Sequence, residues 1–129
     1  MKRELTNKQQ ETLEKRLNFL ISKREKLKEI INIHQWEEAH RIISFSLAQE
    51  ESFKEEHKNY NDIMIVGLRR AKREMDSTRD LMLKNKKNKA ADTFWSGLEY
   101  LLLDYDNVIR MIEYKVNLKQ FFAGNNNEI

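Results

Sequence analysis

Glu37, Glu38, Ala39 and His40 put a carboxylate and an imidazole three residues apart. On a helix that spacing sets both groups on one face, the unit from which di-iron bundle sites are built. Such a centre needs two copies of the unit and Glu residues from two further helices. The chain has one copy: His57 directly follows Glu55 and Glu56, and His34 has no carboxylate at a helical spacing before it. The absence of Cys excludes thiolate nucleophiles, disulfides and Cys-ligated zinc or iron-sulfur centres. No metal or cofactor is expected.

Other chemistries fail on the residues. None of His34, His40 and His57 is followed by the Lys-Gly context of a phosphoryl-accepting bundle, and none is preceded by Arg at the Arg-x4-6-His distance of helical ribonucleases. A Mg²⁺-dependent nucleotide hydrolase needs carboxylates converging from facing helices, since hard cations take oxygen ligands. Glu51 and Glu55 with Asp104 and Asp106 are the nearest set, but they read as the polar end of one helix and the flanks of Tyr105. Without a nucleophile elbow or a Gly-rich phosphate loop, the expectation is a protein that is not an enzyme.

The residues left to act are charged or aromatic. Arg69, Arg70, Lys72 and Arg73, then Lys84, Lys86, Lys87 and Lys89, form the densest positive region. Arg69, Arg70, Arg73, Lys84, Lys86, Lys87 and Lys89 are the candidate contacts for nucleic acid or for an acidic protein surface. Arg24 and His34 interrupt an otherwise apolar stripe, and Phe121 and Phe122 are adjacent, so a helix cannot bury both equally. These four are the candidate contacts for a protein partner. A short-loop helix-turn-helix and a regular aromatic stacking platform are both missing, so specific base readout is not expected.

Helices must position these groups. Pro is absent and only three Gly occur, while Leu, Glu and Lys abound. Thr6 and Gln9 have the spacing of a capping box, with Leu5 in the staple position. Leu13, Leu17, Leu20, Arg24, Leu27, Ile31 and His34 then recur in steps of four and three. Trp36, Ala39, Ile43, Leu47 and Phe53 define a face out of phase with that stripe, which predicts a turn within 32–35; with no Gly or Pro there, one long kinked helix is the alternative. Met64, Leu68, Ala71, Met75, Thr78 and Met82 make a third stripe; Phe94, Leu98, Leu101, Tyr105, Val108 and Ile112 make a fourth and broader one. The spacing predicts helices near 6–32, 36–58, 62–84 and 91–122, with Gly124 as terminator and 125–129 as a flexible tail. The third helix is expected to be continuous, and close helix approaches are expected at Gly67 or Gly97. The fold class is all-α, an antiparallel four-helix bundle with long coiled-coil-like helices.

The chain of 129 residues is long enough for one domain, 1–129. Net charges over 1–34, 35–62, 63–89 and 90–129 are +4, −4, +6 and −3, so much of the positive charge has an acidic helix available as neighbour. No apolar run reaches the ~18 residues of a spanning helix, which points to a cytoplasmic protein without membrane insertion. The 15 Lys, 12 Asn and 11 Ile are what AT-rich codons produce, a bias of low-GC bacteria and of their phages and mobile elements. The sequence is thus expected to encode a non-enzymatic helical protein that binds a macromolecular partner and inhibits, recruits or scaffolds a host protein. A nucleic-acid-associated protein using the basic third helix is the alternative. A self-assembling subunit pairing through the first helix, hence a homo-oligomer, is the second.

Overall fold

A computed structural model describes residues 6–57, 60–84 and 89–128, with side chains for 6–57, 60–84 and 91–116. The fold is all-α: α1 (Asn7–Asn32), α2 (Trp36–Glu56), α3 (Ile63–Ser77), α4 (Arg79–Lys84) and α5 (Lys89–Glu128), with no strand among the described residues. None of these helices is long and apolar enough to cross a membrane.

The capping chemistry is local. The Thr6 hydroxyl accepts the Gln9 N–H at 3.1 Å and the Gln9 side chain accepts the Thr6 N–H at 2.8 Å, satisfying two donors that the start of a helix otherwise leaves open. At the other end of α1 the N–H of Gln35 donates to the Ile30 carbonyl and the N–H of His34 to that of Ile31, each at 3.2 Å, a Schellman closure. The left-handed residue is His34, with φ 55°. Its ring lies flat on Trp95 at 4.9 Å, so the turn is held by a contact to α5.

The third stripe is divided. Thr78 adopts φ −106° and ψ 7°, and the hydroxyls of Ser77 and Thr78 both donate to the Glu74 carbonyl, at 3.0 and 2.6 Å. Two side chains competing for one backbone acceptor disturb the helix there, so one expected helix becomes α3 and the six-residue α4. At the C-terminus the expectation of a tail is corrected: α5 continues through Gly124 to Glu128. One Gly costs a helix only ~1 kcal/mol and no Pro follows to stop it.

Four long helices close a ring in which α1 packs against α5 and α2, and α3 against α2 and α5. Facing pairs run in inverse order, as antiparallel neighbours require: Arg16 meets Glu50 and Lys23 lies over Phe45; Glu51 meets Arg69 and His40 meets Asp76; Arg24 meets Asp106 and His34 meets Trp95. Leu20 and Leu27 of α1, Ile43 of α2, Met64, Leu68 and Met75 of α3 and Tyr105 of α5 are wholly enclosed. Burying each such side chain contributes ~1.5–3 kcal/mol. Helix 1 is therefore a full member of the core, and its seam faces α5 and α2. Gly67 is the close approach between α3 and α5: an added Cβ would strike the Asp104 carboxylate and come within 3.3 Å of Leu101. Gly97, in contrast, has open space beside it.

Candidate functional site

The charged groups enclosed between α1 and α2 are committed to each other. Glu50 of α2 is 1% exposed, and both its oxygens accept from the Arg16 guanidinium of α1. The Tyr60 hydroxyl donates to the same carboxylate at 2.7 Å. Arg16 also lies over the rings of Phe53 and Tyr60, 4.7 and 4.8 Å from their centres. Burial, then the Glu50 carboxylate, pushes the Tyr60 hydroxyl far above its ordinary pKa. Deeper still, burial pushes Tyr105 up to about 12, and neither its hydroxyl nor that of Ser46 has a partner at hydrogen-bond geometry. The contacts among Arg16, Glu50, Phe53 and Tyr60 tie α1 and α2 to the segment ahead of α3 at Tyr60. Neither Arg16 nor Glu50 stands out by motif or spacing; a charge at an otherwise buried position of α2 is the available signal in the sequence.

Arg24, expected at a partner surface, instead grips Asp106 of α5 with two donors and Glu25 at 2.6 Å. The Asp106 hydrogen bond is the main cause of its raised pKa. His34 is taken by the turn and Trp95. His40 bonds Asp76 at 2.8 Å and stacks on Trp36, while His57 stacks on Phe53 at 4.0 Å. The three histidines thus occupy three separate environments, and Glu37 and His40 do not converge with other carboxylates: no group of three His, Asp or Glu among the described residues is arranged to hold a metal ion. The candidate Mg²⁺ set is likewise dispersed, with Glu51 on Arg69, Asp106 on Arg24 and Asp104 in the α3–α5 cleft, where burial raises its pKa against the lowering field of Arg70.

The basic residues divide between two sides of α3. Arg70 lines the α3–α5 cleft with Asp104. Arg69, Lys72 and Arg73 rim a groove between α2 and α3 whose apolar wall is Leu47 and Val66, and whose end is Asp76. Val66 is 60% exposed. Arg69 bonds Glu51 at 3.3 Å, whereas Lys72 and Arg73 have no carboxylate within ion-pair distance among the described residues. Arg79 of α4 lies over the Trp36 ring at 5.8 Å. Lys84 is exposed at the end of α4. Lys86 and Lys87 lie outside the described residues, as do the side chains of Lys89, Phe121 and Phe122.

A second surface escaped the sequence analysis. Opposite the core, α5 exposes Tyr100 by 65%, Leu103 by 55%, Met111 by 38% and Tyr114 by 62%. The breadth of apolar residues on this helix was the signal, since a helix apolar on more than one stripe has more than one neighbour to satisfy.

Comparison with family models, with curated proteins and with solved structures finds no match.

Proposed function

We propose that the protein is a non-enzymatic helical binding module whose α2–α3 groove receives an acidic, partly apolar segment of another protein. One observation carries this reading: the exposed Val66, with the largely buried Leu47 behind it, forms the apolar wall of a groove lined by Lys72 and Arg73, two cations with no intramolecular carboxylate partner among the described residues. Exposed apolar surface within a mainly basic rim, here closed at one end by Asp76, suits an amphipathic segment that is mainly acidic. The use of the buried charged groups as ties between helices supports a scaffold role for the interior, leaving recognition to the outside.

The test is capture of partners from a low-GC bacterial lysate with nuclease present, comparing the parent chain with Lys72→Glu/Arg73→Glu, Val66→Asp and the remote Lys115→Glu. A bound protein lost with the first two and kept with the third supports the reading. Equal capture by all variants refutes it.

A second reading, nucleic-acid association, is favoured by the net +6 over 63–89 and by the exposure of Arg70, Arg73 and Lys84. It requires duplex binding that falls steeply with salt and disappears in Arg70→Glu/Arg73→Glu/Lys84→Glu; no binding at low salt eliminates it.

A further inference from the structure

The exposed row on α5 is symmetric along its own length. Tyr100, Leu103, Asn107, Met111 and Tyr114 are separated by three, four, four and three residues, and the side-chain types read Tyr, aliphatic, Asn, aliphatic, Tyr in either direction. Steps of three and four keep all five on one face of a helix, and all five are exposed. Asn107 is the midpoint. Any apolar face might receive any helix, but a two-fold interface has a stricter requirement: residue i must meet j wherever j meets i. A row unchanged by reversal meets it.

We propose that this face of α5 pairs with the same face of a second copy, antiparallel, about a two-fold axis at Asn107. Tyr100 then packs against the second copy's Tyr114, Leu103 against its Met111, and the two Asn107 side chains face each other. Asn amides can donate and accept, so two of them satisfy each other across an axis, and a single polar layer in an apolar helix seam selects register at some cost in affinity.

Charge supports the same occupant. Glu99 and Arg110 lie on one flank of the row and neither has an intramolecular ion pair among the described residues. With Asn107 on the axis, Arg110 is level with position 104 of the second copy, five residues from its Glu99 on the same flank. At 1.5 Å per residue that is ~7.5 Å, within reach of an extended arginine and glutamate, and the symmetry makes the pair twice.

The area is consistent with a modest dimer. If an aromatic side chain presents ~150–250 Å² when fully open, the four apolar residues expose on the order of 450 Å² per copy. That is about half of the ~800 Å² per partner of a standard interface, with Ser96, Asn107 and the charged flanks available for the remainder. The face is remote from the α2–α3 groove, so pairing does not depend on the proposed function.

The experiment is sedimentation equilibrium on the full chain over a wide concentration range, with helicity checked by circular dichroism for each variant. The parent chain, 15.6 kDa as a monomer, should double in mass. Leu103→Glu should abolish pairing. Arg110→Glu should weaken it at least about tenfold, and adding Glu99→Arg to that chain should restore it. Because the chain has no Cys, Asn107→Cys provides one thiol at the axis: a short bismaleimide should link it into dimers and should leave Glu113→Cys unlinked. A monomer at millimolar concentration, a dimer indifferent to Leu103→Glu, or failure of Glu99→Arg to rescue Arg110→Glu overturns the proposal.

Discussion

Replacing Arg16 by Met leaves the Glu50 carboxylate in the interior with only the Tyr60 hydroxyl as partner. The side chains of Arg16 and Glu50 are 8% and 2% exposed, so solvent cannot take over the lost hydrogen bonds. Breaking a buried pair from one side costs ~3–5 kcal/mol, chiefly because a charge remains desolvated. Against a total stability of ~5–15 kcal/mol, that is a large fraction. Removing the whole cluster is a different perturbation. Arg16→Met/Glu50→Leu/Tyr60→Phe leaves no member of the buried pair unpaired and no Tyr60 hydroxyl, Met and Leu fill similar volume, and the chain should return to within ~1–2 kcal/mol of the parent. Urea unfolding followed by circular dichroism measures both, with the m-value checked for constancy. The reasoning fails if Arg16→Met costs under ~1 kcal/mol, or if the triple variant is no more stable than that single change.

Further outcomes follow from individual contacts. Arg24→Leu should destabilise by up to about 1 kcal/mol, since Asp106 and Glu25 hold its guanidinium while all three side chains stay partly open to solvent; a more stable Arg24→Leu protein in thermal melts would contradict this. Tyr105 keeps its proton until about pH 12 when folded, above the ordinary value of 10. Its contribution is fully present below about pH 10 and is lost as pH rises from there through 12, a decline on the order of 3 kcal/mol. Denaturant titrations across that range should show the drop, and Tyr105→Phe should remove this share of it, leaving that of Tyr60, which has the same sign. Gly97→Ala should stabilise by ~1 kcal/mol, because helix propensity improves and nothing obstructs the methyl group. The melting temperature should rise by about 3 to 5 °C; a fall would mean that the cleft between α3 and α5 closes on that glycine.

The stripes were readable because helical periodicity is a local property. Leu20, Leu27, Ile43, Met64, Leu98 and Tyr105 declare their faces through neighbours three and four positions away, and all are buried. The capping box at Thr6 was equally local, needing only Gln9. Even the break at Thr78 had its cause within the chain, in the adjacent hydroxyls of Ser77 and Thr78. It was missed because the apolar repeat continues through it to Met82.

Residue order alone determined the all-helical class, the position of the main turns and the four faces that seek burial, since each follows from side chains within a turn or two of one another. Only the tertiary structure decided who meets whom. Arg16 reaches Glu50 across 34 positions and Arg24 reaches Asp106 across 82, and neither pairing exists until two rods lie side by side at one particular axial offset. That offset emerges from packing the whole ring at once. It turned Arg24 from a suspected recognition residue into an internal tie, and it set Lys72 and Arg73 beside Leu47 and Val66 on a surface no single helix possesses.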